Sequence, residues 1–332
     1  MADKKLTDLQ HVRKRPSMYI GDTTIRGLGM LSGEIISNSI DQFLHGHATL
    51  VNIQFDQEQV IVTDDGAGLP FTSPSNSGND YRITDFITQI HRTPSADDHA
   101  PHVHIHSPIG VGLFVVAALC EKITFQSVRD GQFWQQSYSR GKKVAGIDPE
   151  PLHADHPIQK GTRIAIVPDS EIFPENFTDR AHQRKLMLHA AHLFPGLRVE
   201  FGEEVFFALG GLADLAVSRC DAKFNVPKVP FSLETEIENV KLSVAAIGNS
   251  DETKITSWCN GTQTWEGGTH QDALASALQK SGWMPEAAYI HVVMLEPKLA
   301  GPTKTRLEVP EKFGAIESAI HTALKDFVSE KF

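Results

Sequence analysis

The stretch Gly33–Gln42, which reads GEIISNSIDQ, constrains the fold most strongly because it predicts a helix with one polar and one apolar face. A helix turns by about 100° per residue, so Glu34, Asn38 and Asp41 share one face while isoleucines occupy the other. A carboxylate and a carboxamide one turn apart can share a task, since the carboxylate can deprotonate a water while the amide oxygen joins a magnesium shell. The spacing is also typical of a solvated helix face, and the pattern alone leaves both readings open.

A second polar segment, Thr63–Pro70, reads TDDGAGLP and follows an alternating apolar hairpin over residues 51–62. Glycines at the end of a strand let the backbone approach a ligand closely. A carboxylate at this place, such as that of Asp64, can accept a hydrogen bond from the exocyclic amine of adenine. A plain turn after a strand is the alternative interpretation.

Two further segments carry glycine at the start of a regular element. Gly110 and Gly112 precede an apolar helix, and the backbone N–H groups and the dipole at such a helix start can receive phosphate. Gly161 and Thr162 precede the alternating run 163–167, which predicts a strand whose first threonine can hydrogen-bond a base.

In this order the four segments resemble the motifs of the GHKL ATPases. The flanking segments are similar to those of the B subunits of DNA gyrase and topoisomerase IV. Arg13–Asp22 reads RKRPSMYIGD, and the second half contains GGTH at Gly267–His270, EPKL at Glu296–Leu299 and TKTRL at Thr303–Leu307. The resemblance covers nearly the whole chain.

The resemblance implies a mixed α/β (α+β) fold. We expect a Bergerat-type GHKL ATPase sandwich followed by a smaller transducer domain of the ribosomal protein S5-like α/β fold. The ATP-binding domain is expected to span residues 1–207 and the transducer domain residues 208–332. The resemblance also implies ATP and Mg²⁺ as cofactors, a homodimer on ATP binding, and a topoisomerase A-type subunit and DNA as partners.

The resemblance assigns a role to each matched residue on the base side of the nucleotide. It implies that Asp64 receives the adenine amine, that Thr162 supports this contact, and that Gly68 shapes the base pocket.

On the phosphate side, the resemblance makes Glu34 the general base that activates the hydrolytic water and Asn38 the ligand of Mg²⁺. Gly110 and Gly112 offer backbone donors to the phosphates. Lys304 is expected to reach the γ-phosphate from the second domain, so that domain orientation reports hydrolysis. A solvated surface lysine is the alternative for Lys304.

Several positions depart from the family pattern. Gln42 and Ala67 stand where the family has a glutamate and an arginine that form an ion pair, and a paired loss leaves no orphan charge. Gln135 stands where the family has its coumarin-contacting arginine. Pro302 stands where the family has a glutamine that donates to the γ-phosphate, and since this donor is missing we expect slow hydrolysis.

The segment 92–106 lies where the family has its ATP lid, but it lacks the family's lid lysine. No tyrosine lies in Met1–Val12, the position of the family's exchanged arm. We therefore expect altered lid closure and no arm exchange. The lid region also contains four histidines, which are typical either of a flexible polar loop or of a zinc or nickel site, and we do not predict a metal site from them: His99, His102, His104 and His106.

Composition narrows the function further. With 332 residues and 40% hydrophobic content, the chain can bury the cores of two domains. With a net charge of −10, the chain shows no basic tail or stripe of the kind that captures nucleic acid by itself, so any DNA contact is local or supplied by a partner. No apolar run of membrane-spanning length and no secretory leader occur, so we expect a cytoplasmic protein. Three scattered cysteines argue against a disulfide framework.

Two functions are consistent with these observations. The first is an ATPase region of a type II topoisomerase B subunit or of a divergent paralogue, without the metal-binding cleavage domain. The second is a gyrase-B-like nucleotide sensor or regulator that binds ATP with little or no hydrolysis.

Overall fold

The computed structural model describes residues 6–56, 58–73, 81–89, 101–107, 110–174, 179–219, 229–301 and 303–331. The chain divides into two compact units. The first unit contains Met1–Ala100, Gly110–Leu188 and Leu197–Phe206, and the second contains Pro101–Ile109, His189–Gly196 and Phe207–Phe332.

The first unit is built on an eight-stranded sheet with the strand order β10-β9-β1-β2-β8-β5-β6-β7. All neighbouring strands pair antiparallel except β1 and β9, which are parallel. The strands are β1 (Leu50–Asp56), β2 (Gln59–Asp64), β5 (Cys120–Arg129), β6 (Gln132–Ser139), β7 (Lys142–Pro151), β8 (Gly161–Pro168), β9 (Arg198–Phe201) and β10 (Glu204–Phe206), and a separate short pair is formed by β3 (Thr72–Ser73) and β4 (Tyr81–Arg82).

Helices of the first unit contribute the other part of its core. The longest, α3, is capped by the Thr24 hydroxyl, which accepts a hydrogen bond from the Arg26 N–H. Helix α5 is apolar along its length, and its residues 114–119 are all buried. The helices are α1 (Asp8–Lys14), α2 (Ser17–Ile20), α3 (Ile25–Leu44), α4 (Ile83–Thr88) and α5 (Gly112–Leu119), and the following helix α6 (Arg180–Leu193) carries residues of both units.

The arginine-rich segment near the N-terminus has a structural role. Arg13 donates to the Ala118 carbonyl oxygen at 2.8 Å and to the Asp169 carboxylate at 2.6 Å, and Arg140 donates to the same carboxylate at 2.8 Å. Burial alone would raise the pKa of Asp169, but the hydrogen bonds from Arg140 and Arg13 outweigh it and lower the pKa. This network fixes α1 against α5 and the end of β8.

The second unit contains a five-stranded sheet with the order β11-β12-β15-β13-β14. Its core is formed by this sheet and by helices α8 and α9. The elements are α7 (Leu212–Arg219), β11 (Phe231–Ile237), β12 (Val240–Ile247), β13 (Lys254–Cys259), β14 (Thr262–Gln263), α8 (Thr269–Ser281), β15 (Ala287–Val293), the hairpin β16 (Leu299–Ala300) and β17 (Arg306–Leu307), a 3₁₀ turn (Pro310–Lys312) and α9 (Phe313–Lys331).

The described residues 101–107 group with the second unit. The N–H of His104 donates to the Asn260 carbonyl oxygen at 2.8 Å, and the Thr262 hydroxyl donates to the His104 carbonyl oxygen. Val103 and Ile105 are buried. The part of the predicted lid that the structure describes, residues 101–106, is therefore held at the β13–β14 turn, and residues 92–100 lie outside the described residues.

The sequence predicts one helix around residues 81–91, and the structure shows a shorter one. Tyr81–Arg82 forms β4, helix α4 covers only Ile83–Thr88, and residues 90–91 lie outside the described residues. Pairing of β4 with β3 removes the first two residues from the helix. Strands β7, β10 and β11 are not predicted by the sequence patterns. In the described part of the chain, no helix is long and apolar enough to cross a membrane.

Candidate functional site

Asp64 lies at the end of β2, and its side chain is buried, with the residue 5% exposed. Ser39 Oγ donates to its Oδ2 at 2.9 Å, and the Gly66 N–H donates to its Oδ1 at 3.0 Å. The backbone N–H of Thr162 donates as well. The carboxylate is thus fixed from α3, from the glycine-rich segment and from β8.

Burial raises the pKa of Asp64 to about 6, and the hydrogen bonds from Ser39, Gly66 and Thr162 oppose the rise. Asp64 is therefore ionised at neutral pH and becomes protonated as the pH falls through about 6. In its ionised form, the carboxylate accepts hydrogen bonds only, which suits an amine donor of a ligand.

The sheet register places Thr162 beside Asp64. Thr162 on β8 pairs with Asp64 on β2 and with Ser127 on β5, so the three side chains stand on adjacent strands of one face. Thr162 is 6% exposed and Ser127 is fully buried. A row of small polar side chains therefore extends across the end of the sheet.

Two glycines allow the surrounding backbones to approach each other. Gly68 has φ +78°, and a Cβ there would lie 2.3 Å from the Val128 carbonyl oxygen. Gly161 has φ +89°, and a Cβ there would lie 2.0 Å from the Asp64 carbonyl oxygen. Since side chains rarely adopt such φ values and no space exists for a Cβ, both positions require glycine.

The segment that follows Asp64 is also fixed by hydrogen bonds from the sheet. Trp134 Nε1 donates to the Leu69 carbonyl oxygen at 3.1 Å, and Arg129 Nη1 donates to the Gly68 carbonyl oxygen at 3.0 Å.

The second carboxylate of the acidic pair, Asp65, has a different role. It accepts from the backbone N–H groups of Thr49 and Leu50 at 2.7 and 2.8 Å and so fixes the start of β1.

Gln42 and Ala67, the two positions that depart together from the family pattern, meet in the structure. The Ala67 N–H donates to Gln42 Oε1 at 3.2 Å. Gln42 thus makes a neutral hydrogen bond to the backbone at the place where the resemblance implies an ion pair.

Glu34 lies next to the glycine pair. Its Oε2 accepts a hydrogen bond from the Val111 N–H at 2.9 Å, and Val111 is the residue that precedes α5. Gly112 has φ +77° with no heavy atom within 4 Å of a Cβ position, so there is open space beside the first residue of α5. Asn38 follows Glu34 one turn later on α3, and both side chains are half-buried.

Lys304 belongs to the loop between β16 and β17 of the second unit. It is exposed, has φ +56°, and lines a cavity of about 310 Å³ together with other residues of that unit. The lining residues are His102, His104, Asn260, Leu295, Pro297, Leu299 and Lys304.

Pro302 and His99 lie outside the described residues. Within the described ranges, no group of three or more His, Cys, Asp or Glu side chains could hold a metal ion.

The structure thus brings Asp64, Gly68 and Thr162 together, and it brings Glu34 to the segment of Gly110 and Gly112. Sequence reasoning missed Ser39, although it lies beside Asn38 in the same polar stretch. Ser39 comes five residues after Glu34, so it lies on a different face of the helix from Glu34 and Asn38. Only the fold shows that this face contacts Asp64 on β2.

Known proteins resemble the chain in sequence and in structure. The DNA gyrase B protein of Clostridium acetobutylicum is 30% identical over 98% of this chain and 55% of the relative. The DNA topoisomerase 4 B protein of Bartonella bacilliformis is 30% identical over 95% of this chain and 50% of the relative. The 43K ATPase domain of Thermus thermophilus gyrase B, solved with an aminocoumarin, superposes with a TM-score of 0.77 at 26% identity and covers 97% of this chain and 90% of that domain.

The chain is a homologue of the DNA gyrase and topoisomerase IV B subunits. The predicted resemblance and the predicted fold class are both confirmed. The ATP-binding domain of Francisella tularensis topoisomerase IV has the same fold, with a TM-score of 0.76 at 21% identity over 98% of this chain and 93% of that one. The gyrase-B-like chain spans about half the length of the curated relatives it matches. No protein-family model matches it.

Proposed function

We propose that the chain binds ATP with Mg²⁺ and hydrolyses it, as the ATPase region of a type II topoisomerase B subunit does. The observation that carries the proposal is the environment of Asp64. A buried carboxylate is held by three hydrogen bonds at the end of a strand, in a row with the small polar side chains of Thr162 and Ser127. Relatives that are gyrase B and topoisomerase IV B subunits support the same conclusion.

On the base side, the ionised carboxylate of Asp64 accepts the exocyclic amine of adenine. Thr162 supports this contact from the adjacent strand, where its register position is opposite Asp64. Gly68 forms a wall of the base pocket, and its tight approach to the Val128 carbonyl oxygen limits the space there. This acceptor selects adenine over guanine, because guanine has a carbonyl oxygen in place of the amine and cannot donate a hydrogen bond there.

On the phosphate side, Gly110 and Gly112 let the start of α5 offer backbone N–H groups to the phosphates. Glu34 takes the proton of the attacking water as a general base. Asn38 fits a magnesium shell because its side chain supplies an amide oxygen one turn from Glu34, and hard cations prefer oxygen ligands. Bound Mg²⁺ would neutralise charge on the phosphates.

We also propose two domains, a location and partners for the chain. We assign residues 1–207 to the ATP-binding domain and residues 208–332 to the transducer domain, in which Lys304 contacts the γ-phosphate. A cytoplasmic location, a homodimer that forms on ATP binding, and contacts with a topoisomerase A-type subunit and DNA are part of the proposal.

A nucleotide sensor with little hydrolysis is the second candidate. Two observations favour it: the neutral contact between Gln42 and Ala67, and the attachment of residues 101–107 to the second unit. The first contact is neutral where the family resemblance implies an ion pair, and the second attaches part of the predicted lid to the second unit.

Measurement of phosphate release with and without DNA separates the two candidates. For the ATPase, wild-type protein releases phosphate and Glu34→Ala does not. If calorimetry shows ATP binding but wild-type protein releases no phosphate under any condition, the sensor function replaces the ATPase.

A further inference from the structure

The loop that carries Lys304 is attached to one carboxylate, that of Glu266. We infer that Glu266 is a positioning residue, which holds Lys304 in the orientation needed to contact a terminal phosphate. The inference rests on the proposed function, because it assumes that Lys304 has this contact. All residues in the argument belong to the second unit.

The residues on both sides of Lys304 share one acceptor atom. Thr303 Oγ1 donates to Glu266 Oε2 at 2.9 Å, and Thr305 Oγ1 donates to the same oxygen at 3.0 Å. The two hydroxyl oxygens are themselves 2.6 Å apart. The carboxylate therefore fixes the loop immediately before and immediately after Lys304.

Backbone contacts hold Glu266 against the same loop. Its N–H donates to the Thr305 carbonyl oxygen at 3.3 Å, and its carbonyl oxygen accepts from Arg306 Nη1 at 3.0 Å. A Cβ on Gly301, which has φ +84°, would lie 2.8 Å from Glu266 Oε2. The loop thus packs directly on the carboxylate.

The backbone of Lys304 needs such support. Its φ of +56° lies in the left-handed region, which is uncommon for a residue other than glycine and persists where the surroundings determine it. Its N–H donates to the Gly301 carbonyl oxygen at 3.3 Å. Without the anchors at Thr303 and Thr305, the loop tip would relax and Lys304 would sample many directions.

The base of the hairpin is held separately. Thr269 Oγ1 donates to the Leu307 carbonyl oxygen at 3.2 Å and accepts from the Val309 N–H at 3.0 Å. The Leu307 N–H donates to the Gly267 carbonyl oxygen at 3.1 Å. Removal of the Glu266 carboxylate is therefore expected to loosen the loop tip while the hairpin and the core beneath it stay folded.

The test compares a nucleotide that has a γ-phosphate with one that lacks it. Glu266→Ala should weaken binding of a non-hydrolysable ATP analogue by about three- to tenfold, as expected when one side chain must be ordered on binding. The affinity for ADP should stay within about twofold of wild type, which is less than the cost of ordering one side chain. Glu266→Gln, which keeps an oxygen acceptor, should retain most of the wild-type preference for the ATP analogue over ADP. The double variant Thr303→Val/Thr305→Val removes the donors and should reproduce the loss.

Glu308→Ala is the matched control. It removes an exposed carboxylate of the same hairpin that pairs with Arg306 at 3.6 Å, and it should bind both nucleotides like wild type. Thermal unfolding of each variant checks that the fold is intact. If Glu266→Ala does not fold, Glu266→Gln and the threonine double variant carry the test.

A double-variant cycle with Lys304→Ala decides the result. If Glu266 acts through Lys304, Glu266→Ala/Lys304→Ala binds the ATP analogue no more weakly than Lys304→Ala alone. Additive losses in the double variant would overturn the inference and leave the proposed function intact. The same holds if Glu266→Ala keeps the wild-type preference for the ATP analogue over ADP while Lys304→Ala loses it. An unchanged preference in Lys304→Ala would remove the γ-phosphate role of Lys304, and the positioning role with it.

Discussion

Glu34 Oε2 lies 2.9 Å from the backbone nitrogen of Val111, so the proposed general base accepts a hydrogen bond from the proposed phosphate loop. The contact joins α3 to the start of α5, and it satisfies one of the N–H groups that a helix start leaves without an intrahelical partner. A phosphate and the Glu34 carboxylate would therefore compete for this donor.

This relationship leads to a prediction for Glu34→Ala. We expect nucleotide binding to be kept, because the Val111 N–H stays available to phosphate, and hydrolysis to fall by about 10²- to 10⁴-fold, the usual contribution of a positioned base. Phosphate release and calorimetry measure the two effects. Glu58→Ala, at the exposed turn between β1 and β2, should behave like wild type. Hydrolysis that survives in Glu34→Ala would show that another group is the base.

The sequence predicts this part of the site because two regular periods determine it. The 3.6-residue period predicts a helix over residues 27–47, and α3 covers Ile25–Leu44. The two-residue period predicts the β1–β2 hairpin that ends at Asp64. Such local patterns need no knowledge of distant contacts.

Other features depend on long-range contacts that no local pattern contains. Strand β7 is exposed along nearly its whole length, so it lacks alternating burial and is defined by its pairing with β6. The contact of Ser39 with Asp64 joins residues 25 positions apart. The grouping of residues 101–107 with the second unit depends on hydrogen bonds to Asn260 and Thr262.

Ser39→Ala should change how binding depends on pH. Asp64 must be ionised to accept an amine, so wild-type affinity should fall as the pH drops through about 6, roughly tenfold for each further pH unit. The Ser39 hydroxyl lowers the pKa of Asp64, and its removal raises that pKa further. The decline should therefore begin at a higher pH in Ser39→Ala. Calorimetry between pH 5 and 8, with Asp64→Asn as the reference without this titration, checks it; coincident wild-type and Ser39→Ala profiles would exclude the effect.

Gly161→Ala and Gly131→Ala form a matched pair for stability. Both glycines have positive φ, +89° and +72°, but a Cβ at position 161 would lie 2.0 Å from the Asp64 carbonyl oxygen, whereas position 131 has open space. We expect a loss of about 1 kcal/mol in unfolding free energy for Gly131→Ala and of about 3 kcal/mol or more for Gly161→Ala, since overpacking adds to backbone strain. Urea unfolding measures both. Equal losses would mean that the strands separate at little cost.

Dimer closure on nucleotide binding should be weaker than in the relatives. Association costs at least about 4 kcal/mol in lost freedom, and the chain lacks the lid lysine and has Pro302 in place of a glutamine donor. Sedimentation with and without a non-hydrolysable ATP analogue measures the dimer fraction, and we expect partial dimerisation. A tight, fully populated dimer that forms only with nucleotide would show that other contacts compensate for these differences.

The most direct test of the account is the affinity of Asp64→Asn for a non-hydrolysable ATP analogue with Mg²⁺, measured by calorimetry. The variant removes the charge and puts an amide NH₂ group in place of one of the two Asp64 oxygens, both of which accept hydrogen bonds in the wild type. A hydrogen bond to a charged group contributes about 1.5–3 kcal/mol, so the affinity should fall by at least about tenfold. Asp56→Asn, at the exposed end of the same hairpin, should bind like wild type. Undiminished affinity in Asp64→Asn would contradict the assignment of adenine to this carboxylate.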